Sequence, residues 1–84
     1  MDFVVTPEFV ATYEHLTDEQ AACVDAAIRR LLDSPRSAWA RRSRVVGDNG
    51  AAWLVAVRCG DSILALYWRQ ESDGSIVLLL LLGV

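Results

Sequence analysis

A chain of 84 residues with 54% hydrophobic content makes one domain with one small core, and it can fold without staples. Its net charge of −3 and isoelectric point near 4.9 argue against a broad nucleic-acid surface, because phosphate binding needs a basic footprint. The N-terminus, Met1-Asp2-Phe3, has neither a basic region nor a long apolar segment, so no signal peptide or membrane anchor is expected and the cytoplasm is the expected compartment. Cys23 and Cys59 show no zinc or disulfide-framework spacing, and buried, inert thiols in a reducing environment are expected. No metal or cofactor is expected.

Asp2 to Val5 reads as a short, mostly apolar strand. Thr6-Pro7-Glu8 is a helix start: Thr6 can cap, Pro7 suits the first helical position, and Glu8 suits the first turn. Phe9, Tyr13 and Leu16 then form one apolar stripe. Thr17 and Gln20 stand at capping-box spacing and open a second helix. That helix buries Val24, Ala27, Ile28, Leu31 and Leu32 and exposes Asp25, Arg29 and Arg30, with Asp25 and Arg29 four apart in the favourable order. Ser34-Pro35 ends it, since the residue before a proline is pushed out of helical angles. The two helices are expected as an antiparallel hairpin.

Strand signals fill the second half. Arg44 to Val46 leads into the hairpin-turn sequence Gly47-Asp48-Asn49-Gly50, followed by strands at Ala52 to Arg58 and Ser62 to Arg69 around Gly60-Asp61. Ser72-Asp73-Gly74 makes the last turn before an apolar run, Ile76 to Leu82. The run is far too short to span a bilayer, which takes about 20 helical residues. Its β-branched start favours a strand, and apolar residues at both parities predict a central strand covered on both sides. The expected fold is α+β: an N-terminal strand, a helical hairpin, then an antiparallel meander of about four strands with the helices on one face.

Two helices shield only one face of a sheet. Yet Trp53, Val55 and Val57 alternate with Leu54 and Ala56, and Ile63, Ala65 and Tyr67 alternate with Leu64, Leu66 and Trp68, so both faces are apolar. A large exposed apolar patch marks an interface. The residues expected there are Leu54, Ala56, Leu64, Leu66, Trp68 and Leu80, with a second copy or another protein as the covering partner.

Arg36, Arg41, Arg42 and Arg44, with Trp39 among them, form the one basic stretch. They can hold a phosphate backbone while Trp39 stacks on a base, or serve as a solvated loop and a guarded sheet edge. His15 lacks an identifiable base or nucleophile partner and reads as structural. Asp48, Asp61 and Asp73 each adjoin a glycine, and turn formation accounts for them.

The order of these pieces resembles the RelE/ParE superfamily of bacterial toxins, with HigB-like members nearest. The stretches that carry the likeness are Phe3 to Phe9, Leu31-Leu32-Asp33-Ser34-Pro35, Arg42 to Gly47, Gly50 to Arg58, Gly60-Asp61 and Asp73 to Leu78. The resemblance covers nearly the whole chain. It implies a sheet with a helical hairpin on one side, a cognate antitoxin partner and, in many members, ribosome-dependent mRNA cleavage that represses translation.

The departures bear on activity. Active members carry basic residues where this chain has Leu54 and Ala56, an arginine near the position of Ile63, and a C-terminal tail with a basic residue and a Tyr or His. This sequence stops at Gly83-Val84, and Arg58 is the one basic residue at a family-like position. RNA cleavage needs a group to deprotonate the 2′-hydroxyl, cations to stabilise the phosphate and an acid for the leaving oxygen. A catalytically degenerate toxin is therefore expected, with Arg41, Arg42, Arg44 and Arg58 as the nucleic-acid-binding candidates toward mRNA or the ribosome. The alternative is a non-catalytic binding module of the same fold: a homodimer, an antitoxin-bound form or a gyrase-type target binder.

Overall fold

The first described residues, Phe3 to Val5, dock against the last strand. The structure, a computed structural model, describes residues 3–48 and 50–83; Met1, Asp2, Asn49 and Val84, and with them part of the expected first strand and of the Gly47–Gly50 turn, lie outside the described residues. Strand β1 (Phe3–Val5) runs parallel to β5 (Ile76–Gly83), with Phe3 opposite Ile76 and Val5 opposite Leu78. Thr6 then fastens the junction. Its N–H donates to the Leu78 carbonyl at 3.1 Å, its hydroxyl donates to the Leu79 carbonyl at 2.6 Å, and the same oxygen caps α1 (Pro7–Tyr13) by accepting from the Phe9 N–H. Leu79 is the extra residue of a β-bulge, because Tyr67 pairs with Leu80 and Trp68 with Leu78. The bulge turns a carbonyl toward Thr6, which satisfies it.

Helix α2 (Asp18–Asp33) starts at a formed capping box: Thr17 Oγ1 accepts from the Gln20 N–H, and Gln20 Oε1 accepts from the Thr17 N–H. Val24, Ala27, Ile28 and Leu31 recur at three- and four-residue spacing and are all buried, each large aliphatic contributing about 1.5–3 kcal/mol relative to exposure. Asp25, expected to pair with Arg29, instead accepts from Tyr13 Oη at 2.8 Å and so ties the two helices together.

Strands β2 (Ser43–Gly47), β3 (Gly50–Cys59) and β4 (Ser62–Gln70) continue to β5, giving the sheet order β1-β5-β4-β3-β2. The fold is α+β with two helices. The sheet has five strands, since β1 joins the meander, and it is mixed because β1 lies parallel to its neighbour. The apolar run of β5 is an inside strand, but the middle strand is β4. Coverage on both sides is not found: Leu82 is 43% exposed, and only the opposite side of β5, with Ile76, Leu78 and Leu81, is packed under the helices.

Which parity faces the helices follows from the hairpins. Gly60-Asp61 is a two-residue turn with Cys59 opposite Ser62, so odd positions of β3 pair with even positions of β4. Gly60 has φ +58°, as the first central residue of a type II′ turn requires. Val55 and Val57 therefore share the helix face with Leu66 and Leu64, and Trp53 shares it with Trp68. Leu64, Leu66 and Trp68, expected at a partner interface, lie in the core and are at most 4% exposed. Tyr67, Ala65 and Ile63 face the other way.

The expected free thiols are not found. Cys23 on α2 and Cys59 at the end of β3 form a disulfide, with Cα atoms 5.8 Å apart and a sequence separation of 36. Their spacing carries no signal because the pairing is tertiary: α2 lies across β3 and brings the two together. The cytoplasmic expectation loses the support it drew from reduced cysteines. No helix of the described residues is long and apolar enough to cross a membrane.

Candidate functional site

Two surfaces stand out. The first is the face of the sheet turned away from the helices. Register places Leu80, Tyr67 and Leu54 in one row across β5, β4 and β3, and Leu82, Ala65 and Ala56 in the next. Val45 and Ala52 lie on the same face toward β2 and Val4 on β1, with Arg69, opposite Val77 and on the same face as Tyr67, between them. Val4 is 56% exposed and Val45 is 37% exposed. Of the expected interface residues, Leu54, Ala56 and Leu80 are here, with Tyr67, Ile63, Leu82 and Val45 added by the register.

The second is a groove of about 540 Å³ between α2 and the outer edge of β3. Cys23, Ala26, Ala27, Val55 and Val57 give it an apolar floor; Arg30, Arg42, Arg58 and Trp39 stand around it. The Arg30 guanidinium lies over the Trp39 ring, 4.2 Å from its centroid, which fixes both side chains at the rim. Among the described residues no carboxylate lines this groove. A chain with a net charge of −3 thus concentrates three of its eight arginines in one cleft.

The four nucleic-acid candidates divide. Arg42 and Arg58 meet at the groove, and Arg30, assigned by sequence only to a solvated helix face, joins them. Arg41 is committed to structure: its Nε donates to the Pro35 carbonyl at 2.9 Å and its terminal nitrogen to Gln70 Oε1 at 2.8 Å, with Trp53 and Trp68 beneath it. Arg44 is exposed on β2, its guanidinium 6.0 Å from the Trp53 ring. Arg36 lies with Arg41 and Arg69 around a separate hollow. Arg30 was legible only to a reader who knew that α2 crosses β3.

Among the described residues the groove's lining offers arginines to an anion and holds no carboxylate or histidine. Cys23 is bridged, and the remaining polar side chain, Ser43, has no base among the lining residues. His15 is exposed in the turn after α1. Tyr13 and Asp73 have displaced pKa values, and both stand outside the groove. The Tyr13 phenol is raised by its hydrogen bond to Asp25 and then by burial, and Asp73 is lowered by the Ser75 hydroxyl and amide it accepts from. Among the described residues no cluster of three metal-ligating side chains occurs. Asp73 caps its turn, as expected, and Asp61 sits in the β3–β4 turn.

Comparison with protein families, curated proteins and solved structures finds no match to this chain.

Proposed function

We propose that the chain is a non-catalytic protein-binding module, a RelE/ParE-type toxin component whose partner polypeptide, an antitoxin, covers the open face of the sheet. The observation that carries the proposal is the row Leu80–Tyr67–Leu54 with its flanking Leu82, Ile63, Val4 and Val45, an apolar surface left by a sheet that has helices on one side only. Exposed apolar area of this kind is what binding partners bury. The test is to look for a short reading frame adjacent to its gene and, with its product co-expressed, to co-purify the two. The wild type is expected to hold the partner in a stable complex, and the Leu54→Glu, Leu80→Glu double variant is expected to fold and lose it. A folded wild type that stays monomeric beside that product overturns the proposal.

The second reading, a ribosome-dependent endoribonuclease, is favoured by Arg42 and Arg58 standing with Trp39 at one groove, where they can take an RNA backbone and a stacked base. Against it stands the lack of a general base or acid there. Codon-positioned cuts in a purified translation system would establish it.

A further inference from the structure

We propose that the groove between α2 and β3 is a docking site for an extended acidic segment of a partner protein, added to the sheet as a strand beside residues 55–59. The site adjoins the open face through Leu54, Ala56 and Arg58, but the proposal does not rest on the reading of that face.

The backbone supplies the first argument. Strand β3 runs from Gly50 to Cys59, but β2 pairs only with its first half, ending at Ser43 opposite Leu54. Cys59 and Ser62 close the β3–β4 hairpin, so Cys59, Val57 and Val55 exchange hydrogen bonds with β4 while the alternate residues turn their N–H and C=O groups to the other side. Gly50, Ala52 and Leu54 meet β2 there. Ala56 and Arg58 meet no strand among the described residues, and both are exposed. They present two N–H and two C=O groups in the line that β2 would occupy if it were longer, which is the template that strand addition uses.

The side chains say what would fit. A strand laid here alternates its side chains between the two faces. Those opposite Val57 and Val55 would enter the slot floored by Cys23, Ala26 and Ala27, which takes a small apolar group. Those turned to the other face lie beside Arg58, while Arg30 on α2 and Arg42 before β2 stand around the slot, and among the described residues no carboxylate lines the groove. Alternating acidic and apolar residues match both demands. A nucleic-acid strand matches the charges but leaves the edge amides and carbonyls and the apolar floor unused, so the acidic peptide is the better occupant. Arginine at an edge also discourages pairing between like copies of this chain, which removes self-association along this edge as the purpose of the site.

The test is fluorescence anisotropy with a labelled peptide of sequence Asp-Val-Glu-Val-Glu-Val, the same peptide with its central backbone amides N-methylated, and a labelled single-stranded oligouridylate. The expected result is saturable binding of the unmodified peptide below about 1 mM, weakened about tenfold by N-methylation, which removes strand hydrogen bonds and leaves every charge. Arg58→Glu and Arg42→Glu should each weaken it by about tenfold, while the open-face variant Leu80→Glu leaves it unchanged. Equal binding of the plain and N-methylated peptides, binding of the oligouridylate alone, or no saturation by any probe overturns the proposal. Since Leu80→Glu reports on the open face alone, failure of this site and failure of the open-face reading are distinguishable.

Discussion

Trp68 Nε1 donates to the Ala40 carbonyl at 3.1 Å, and both residues are fully buried. This bond pins residues 34–42, which have no strand or long helix of their own, onto the helix-side face of β4. Arg41 continues the same seam, bridging the Pro35 carbonyl and Gln70. The seam sets where Trp39 and Arg42 stand, and so shapes the arginine groove. Trp68→Phe would remove the donor, strand a buried carbonyl and leave a partial void. A loss of about 2 kcal/mol or more in urea unfolding is expected, with weaker anion binding at the groove in the fraction that stays folded.

The Cys23–Cys59 bridge closes a loop across 36 residues of separation. Constraining the unfolded chain to this extent is worth about 3–4 kcal/mol on the loop-entropy scale. Thermal melting with and without reductant should show a large drop in midpoint on reduction. Thiol titration of the unreduced, denatured protein should find no free thiol, and two after reduction.

At the last turn the Ser75 hydroxyl and the Ser75 N–H, the latter at 2.9 Å, both donate to Asp73. They hold its carboxyl below the ordinary carboxylate range. A pKa depressed by folding adds stability that is present above the ordinary value and lost as pH falls through the folded value. Asp73→Asn should therefore lower the melting midpoint at neutral pH and narrow the gap to the wild type in strong acid. An unchanged difference across that range would contradict this.

Much of the fold was legible because its signals are local. Thr6 with Pro7 and Thr17 with Gln20 carry their caps within four residues, and the structure forms both. The helix end at Ser34-Pro35 and the turns at Gly60-Asp61 and Asp73-Gly74 belong to the same class. What was misread depends on register or on contact between distant segments. Leu64, Leu66 and Trp68 look like Leu54 and Ala56 in parity, but a two-residue turn pairs odd with even positions, so they fall on the buried face. The two-residue turn length carries that information. The disulfide and the meeting of Arg30 with Arg42 and Arg58 follow from how α2 packs on β3, the parallel pairing of β1 with β5 from long-range contact, and no local spacing encodes them.

Replacing both Leu54 and Leu80 by Glu puts two charges in the central row of the open face. The helical hairpin should keep its circular dichroism, because neither residue belongs to the buried core. Binding of the partner chain should fall by about tenfold or more, measured by titration calorimetry, since buried apolar anchors dominate such interfaces. Unchanged affinity would place the interface elsewhere.

Primer extension on mRNA in a purified translation system most directly tests the proposal that this chain binds and does not cut. With folded, disulfide-bonded protein present, the predicted result is a cDNA pattern identical to that without it. Codon-positioned cuts that require the ribosome would contradict the account and show that Arg42 and Arg58 serve a nuclease whose general base lies outside the groove.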